Sequence, residues 1–448
     1  MLSLLWLRRD LRLKDNLSLF LALENSNKVQ PIFIFDEHIL SRFKNPSDKR
    51  ISFILETLRA IDKELKEKDS ELLVFYGDPK ILIPKIANIL EVKQIFAGKD
   101  YEPYGLKRDA AIAKEVELCL CNDHLLLPPE KILKDDGSTY RVFTPYYRKW
   151  LNSIEPLDYA EYNAKGYNKY ANSSALRKLL IAHDLHPLEL YEDVPGYKHQ
   201  KLGIWTLGDL DNRFEKFITS KLSSYSRDRD YLDIDGTSAL SPYLRFGQIS
   251  VRRCYRHAVG IAGGERWINE LAWRDFYAMN LYYYPEIISQ EMLPQYRSIK
   301  WSRNSEVLAK FTAGETGYPV IDAAINQLLT TGWMHNRARM IVASFMTKNL
   351  WLDWRLGEEF FAQHLMDYEL SSNVGGWQWG ASVGFDAQPY FRMFNPYLQS
   401  QKYDAKGIYV RKYSSSKLFS GKDTAPIVDY SESRKKALML FKNSIYKI

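Results

Sequence analysis

Short apolar runs alternate with amphipathic stretches through the first 128 residues, and then the alternation stops. The runs at 2–7, 29–35, 71–75, 94–97 and 125–127 are strand-length and rich in Leu, Ile, Val and Phe. Between them, 16–24, 48–68, 79–90 and 103–115 carry apolar residues at helical spacing, and Asp78 followed by Pro79 makes an N-cap and first-turn pair. Strands alternating with helices predict a five-stranded parallel sheet with helices on both faces, a doubly wound α/β domain over 1–128. The first strand runs into Arg8-Arg9-Asp10-Leu11-Arg12 rather than a G-x-G-x-x-G, so the dinucleotide fingerprint is missing. From 129 to 200 the pattern degrades into polar, Tyr- and Asn-rich sequence, which reads as a connector with short helices. From 201 to 448 helical periodicity takes over, predicting an all-α domain.

A chain of 448 residues exceeds what one core usually organises, in keeping with this division. No apolar run is long enough to span a membrane. The charges at Arg8 and Arg9 follow the first apolar stretch instead of preceding it, which reads as a buried strand of a cytoplasmic protein and not as a secretory signal. Three cysteines exclude a disulfide scaffold, and the C-x-C of Cys119 and Cys121 has no second pair to complete a zinc site, so no metal is expected. A net charge of +7 suits a polyanionic partner without identifying one. The tryptophans say more: nine of eleven follow residue 200, which implies either a large aromatic core or a stacking platform for flat ligands.

Four segments could carry chemistry. In a helix, Glu270, Trp273, Arg274 and Tyr277 share one face, mixing a carboxylate, a guanidinium and aromatic rings. An amphipathic helix with a Glu–Arg pair would show the same residues. In Gly332-Trp333-Met334-His335-Asn336-Arg337-Ala338-Arg339-Met340, Asn336 offers a donor and an acceptor suited to a heterocycle edge. His335 is left unassigned. In Asn373-Val374-Gly375-Gly376-Trp377-Gln378-Trp379 the glycines permit close approach, and on a helix the two tryptophans would diverge toward different partners. Asp235-Gly236-Thr237-Ser238-Ala239-Leu240-Ser241 could cap a helix or hold a phosphate.

Together, in this order, W-x-R-x-D-L-R, Y-x11-T-S-x-L-S, E-x-x-W-R, G-x-T-G-Y-P-x-I-D-A, G-W-M-H-N-R-x-R-M and N-x-G-G-W-Q-W resemble the photolyase/cryptochrome family, most closely its class I cyclobutane pyrimidine dimer photolyases. The resemblance spans nearly the whole chain. It implies an FAD held non-covalently by Tyr225, Thr237, Ser238, Ala239, Leu240, Ser241, Trp267, Glu270, Arg274, Trp333, Asn336, Arg339, Asp367, Glu369 and Asn373. Arg339 and Asp367 are the ion pair expected beside the flavin, active in its reduced anionic form, with Asn373 facing N5. The implied substrate is UV-damaged DNA carrying cyclobutane pyrimidine dimers, flipped out of the stack as photolyases as a class require. Glu270, Trp273 and Trp379 would meet the dimer, Asn336 and Met340 the dimer or the flavin adenine, with Asn373 tuning the flavin. Arg229, Arg337, Arg392 and Lys402, with Trp273 and Trp379, would contact the DNA. Trp377, Trp354 and Trp301 match a relay that carries electrons to oxidised FAD.

Relatives carry an antenna chromophore in the α/β domain. Lys99-Asp100-Tyr101-Glu102 lacks the N-E pair of folate binders, which points to a deazaflavin or flavin, with Asp36, Arg50, Asp100, Glu102 and Arg245 as contacts. The chain departs from the family pattern at Glu369, where an Asp is usual, and after Arg411, where a W-V-P-E-L block is missing. A monomer is expected. The alternatives are a blue-light photoreceptor, a (6-4) photoproduct enzyme with His at the place of Asn336, and a DNA-binding protein with vestigial FAD.

Overall fold

The computed structural model describes residues 2–163, 167–414 and 425–445. Five parallel strands, β1 (Leu2–Leu7), β2 (Lys28–Asp36), β3 (Leu73–Gly77), β4 (Gln94–Gly98) and β5 (Glu117–Cys121), lie in the order β3-β2-β1-β4-β5. β1 is buried along almost its whole length, as its unbroken apolar run requires of a strand covered on both faces. The helices Leu17–Asn25, Lys49–Lys66, Pro79–Ile89 and Pro103–Ile112 cross between strands. Asp78 caps the third of these by accepting from the Lys80 N–H at 2.9 Å. After β3 the chain crosses to the other side of β1. That reversal opens a crevice beyond the carboxyl ends of β1 and β4, the usual ligand position in such sheets.

One strand differs from the sequence reading. The fifth is Glu117–Cys121, and 125–127 is a buried loop. Its three leucines are apolar because they fill the junction with the helices, where the Leu127 N–H donates to Asp275 at 3.1 Å. Cys119 and Cys121 are free thiols on β5, and burial pushes Cys121 up to about 12, an inert small apolar residue.

The connector contributes helices Phe143–Asn152 and Ser173–Ala182. Beyond residue 201 the described residues form helices and turns, with Gly264–Tyr283 the longest helix. Buried ion pairs tie this part to the sheet. Asp123 accepts from Arg12 (2.5 Å) and Arg252 (2.7 Å), and Asp15 accepts from Arg252 (3.1 Å) and Arg256 (2.9 Å). Gly247, at φ +69°, lies so close to Arg9 that a Cβ would meet its carbonyl oxygen at 2.0 Å. The W-x-R-x-D-L-R segment is thus held against the helices by charge and by close backbone approach. No helix of the described residues is long and apolar enough to cross a membrane.

Candidate active site

Four distant segments meet in one hydrogen-bonded series. Trp333 Nε1 donates to Ser241 Oγ at 3.2 Å, Ser241 donates to Asp367 Oδ2 at 2.6 Å, and Arg339 donates to the same oxygen at 2.7 Å. The other oxygen, Asp367 Oδ1, is buried with no partner. A buried carboxylate oxygen in that state is open to a donor from water or a bound molecule. Beside it, the turn leading to helix Ser241–Arg245 takes a left-handed step at Ala239 (φ +48°), between Thr237 and Ser238 on one side and the buried Leu240 on the other. Gly236 allows this turn to pack, since a Cβ there would lie 2.8 Å from the Asp228 carbonyl oxygen. Tyr225 and Trp267 are buried around Phe217, at ring separations of 5.6 and 4.8 Å.

Asn373 sits on helix Leu370–Gly380. Its amide nitrogen donates to the Glu358 carbonyl (3.0 Å) and carboxylate (2.9 Å), which fixes the rotamer and leaves the amide oxygen for another donor. Burial pushes the Glu358 carboxyl up. Gly375 on the same helix lets the Tyr277 ring approach to where a Cβ would be 2.2 Å away.

A rim lies along helices Gly264–Tyr283 and Asn336–Ser344. Trp273 is half-buried and stacks on Phe143, with centroids 3.8 Å apart and planes 7° from parallel. One turn earlier, Glu270 pairs with Arg229. Arg229 also reaches Asp230 at 3.7 Å, and Asp230 binds Arg337 at 2.9 Å. This ion-pair chain links the two helices beside Asn336, which is exposed and 4.0 Å from Met340 Sδ. Arg229 and Arg337 are therefore held in internal pairs, whereas Arg392 and Lys402 are exposed. Trp379 is half-buried, 6.4 Å from Phe394. His335 caps its helix through Nδ1, accepting from the Arg337 N–H at 3.1 Å, and burial pushes it down to about 4, so it is a neutral structural residue.

Arg274 and Glu369 do not join the Asp367 series. Glu369 accepts from Arg9 and lies 2.5 Å from His124 Nε2, with Arg274 at 3.2 Å. Burial opposes ionisation of Glu369, but Arg274, His124 and Arg9 hold its carboxyl well below the usual range. His124 is pushed down to about 3 by burial and then by the two guanidinium groups. Arg9 reaches onward to Glu102 (3.0 Å) and Asp100 (3.4 Å) at the sheet crevice, where the Tyr104 hydroxyl donates to Asp36 at 2.8 Å. The Arg245 Nε donates to the Tyr368 carbonyl nearby. Arg50 is buried against Asp48 (2.6 Å) and the Ala362 carbonyl (2.6 Å).

The family model described as DNA photolyase matches residues 3–163, and the one described as FAD binding domain of DNA photolyase matches 267–418. A deoxyribodipyrimidine photo-lyase of Alkalihalophilus pseudofirmus is 34% identical over 98% of both chains. The chain belongs to the photolyase/cryptochrome family. Among solved structures, a class III photolyase from Agrobacterium tumefaciens matches with TM-score 0.83 and 28% identity, covering 99% of this chain and 97% of that one. An archaeal photolyase from Sulfolobus tokodaii with two FAD molecules matches with TM-score 0.80 and 29% identity, covering 99% and 100%.

In a family member with an FAD-binding domain, the Asp367 series, the unpartnered carboxylate oxygen and the hydroxyl-rich turn fit a polar cofactor. Trp354 and Trp377 are buried and Trp301 is half-buried. Gly357 lets Trp377 approach its helix, since a Cβ would lie 2.2 Å from the indole. Sequence reasoning missed Arg9, His124, Phe143 and Glu358. Arg9 stands inside the quoted motif, which marked its segment but not its partners. The missing block after Arg411 falls partly on 415–424, outside the described residues.

Proposed function

We propose that this chain is a light-driven DNA repair enzyme, a deoxyribodipyrimidine photo-lyase acting on cyclobutane pyrimidine dimers. When bound, reduced anionic FAD supplies an electron on excitation and recovers it once the dimer has split. Ser241, Trp333, Arg339 and Asp367 hold the cofactor together with the turn 237–241, Tyr225 and Trp267. The Arg339 guanidinium favours negative charge nearby. Asn373, anchored by Glu358, presents its amide oxygen to the flavin N5 proton. Arg274 and Glu369 act from behind this pocket, fixing it against Arg9 and His124.

The braced indole of Trp273 carries the reading. A half-buried ring whose far face is already stacked on Phe143 is a preorganised platform for a flat, flipped pyrimidine pair. Glu270 beside it can bond a pyrimidine N–H or carbonyl, its orientation set by Arg229. Asn336, Met340 and Trp379 complete the rim, and Arg392 and Lys402 contact DNA phosphates. Trp377, Trp354 and Trp301 relay electrons to oxidised flavin.

The organisation that goes with this is an antenna-binding unit over 1–128, a connector over 129–200 and a catalytic unit over 201–448, in a cytoplasmic monomer. The crevice with Asp36, Asp100, Glu102 and Arg245 takes a flavin or deazaflavin antenna. The Sulfolobus relative with two FAD molecules supports this choice over folate.

Binding tests the reading. A dimer-containing duplex should bind far tighter than the same duplex undamaged, and Trp273→Ala should remove most of that difference while leaving FAD bound. Equal affinity for the two duplexes in the wild-type chain contradicts repair.

A further inference from the structure

The two outer tryptophans of the row share one buried carboxylate. Glu291 is 3% exposed, and its Oε1 accepts from Trp301 Nε1 at 2.9 Å and from Trp354 Nε1 at 3.2 Å. The residues are ten and sixty-three positions apart from it in sequence, so their convergence is tertiary. Trp377, the inner member, is different: its Nε1 is buried and has no partner. Arg355 binds both Glu291 oxygens at 3.1 Å, but it also pairs with Asp353 at 3.0 Å, so one guanidinium serves two carboxylates. Arg303, largely exposed, is the other cation on Asp353, at 2.8 Å.

These contacts grade the three rings. A positive charge on Trp377 meets no acceptor for its N–H. On Trp354 it meets the Glu291 oxygen but also the Arg355 guanidinium, 4.5 Å from the ring centroid. On Trp301 it meets the same carboxylate at the shorter hydrogen bond, with Arg355 bound to that carboxylate as well. The carboxylate therefore favours the charge on either outer ring over Trp377, whose N–H has no acceptor. Oxidised indole is also acidic at N1–H, and the atom that would receive the proton is already hydrogen-bonded to it.

We propose that Glu291 is the proton acceptor for oxidised Trp301, making charge separation along the row long-lived. The proposal rests on the relay reading above. Trp301 loses one electron inward, through Trp354 and Trp377, to a light-excited oxidised flavin. Its N1–H bond then breaks, the proton forms an O–H bond on Glu291 Oε1, and a neutral tryptophanyl radical remains. An external thiol later returns the electron, and Glu291 returns the proton.

Flash absorption spectroscopy on the FAD-loaded full chain tests this, because cationic and neutral tryptophanyl radicals absorb at different wavelengths. In wild type the cation should convert to the neutral radical at a rate independent of buffer concentration, since the acceptor is internal. Glu291→Gln keeps an oxygen for both N–H groups but is a far weaker base. Conversion should slow about a hundredfold, the scale of a lost general base, and become buffer-dependent. Equal rates in both chains overturn the proposal. Should the Gln chain fail to load flavin, the wild-type measurement decides alone: a rate rising with buffer concentration overturns it. Trp377→Phe separates the underlying reading. If that variant still forms tryptophanyl radicals at the same yield, the relay fails; if it forms none, only the role of Glu291 is at stake. Without flavin, ultraviolet resonance Raman should show two indole N1–H hydrogen bonds weakened in Glu291→Gln, and an unchanged spectrum counts against the contact itself.

Discussion

Replacing Asp275 by Asn should change how stability depends on pH. Asp275 lies in the middle of the longest helix, 1% exposed, and one oxygen accepts from the Leu127 N–H at 3.1 Å and from Trp150 Nε1 at 3.0 Å. The other oxygen has no partner. Burial pushes its carboxyl up from 3.8 to about 7, against those two donors and Arg274. The folded chain therefore binds this proton more tightly than the unfolded chain. Stability from the group is complete below the unfolded value and is lost as pH rises toward the folded one. Over the whole window the loss is ~4 kcal/mol, and from about pH 5 to pH 8 it is ~3 kcal/mol. Asn has no such titration, and its oxygen can still accept from Leu127 and Trp150. Urea unfolding of both chains should show Asp275→Asn gaining ~3 kcal/mol on wild type from pH 5 to pH 8. A difference between the chains that stays flat across that range refutes the reasoning, whatever its absolute value.

Other outcomes follow from single contacts. Gly357→Ala would place a methyl 2.2 Å from the Trp377 indole. It should lower stability by ~1–3 kcal/mol in thermal melts and shift tryptophan emission. Asp123→Ala leaves Arg12 without a carboxylate partner in the interior and Arg252 with Asp15 alone, and should cost ~3–5 kcal/mol by urea unfolding. Asp367→Asn weakens the charge-assisted bonds from Arg339 and Ser241, and titration of the flavin-free chain with FAD should show affinity reduced about tenfold or more. An unchanged affinity would detach Asp367 from the cofactor.

Periodicity made β1 to β4 and the crossing helices legible, because a buried parallel strand must be apolar throughout and a covering helix must be apolar on one face. It failed at the fifth strand. There Glu117 and a partly exposed edge broke the apolar run, while Leu125, Leu126 and Leu127 imitated a strand by filling the junction with the helices. Motif order identified Ser241, Trp333, Arg339 and Asp367, which the fold does join. It could not reveal Glu291 beneath Trp301 and Trp354, Phe143 behind Trp273, or Glu369 turned toward Arg9 and His124. Those contacts link residues with no common period, and each partner alone looks like an ordinary charged or core residue.

Repair itself is tested by light-dependent reversal of a dimer. The chain, loaded with FAD and reduced, is mixed with an oligonucleotide holding one cyclobutane thymine dimer and illuminated with near-UV to blue light. Thymine absorbance should recover in the light, stay flat in the dark, and fail to recover with Trp273→Ala carrying its full complement of FAD. No recovery from a wild-type chain whose flavin is bound and reduced would contradict it and leave a photoreceptor as the reading to pursue.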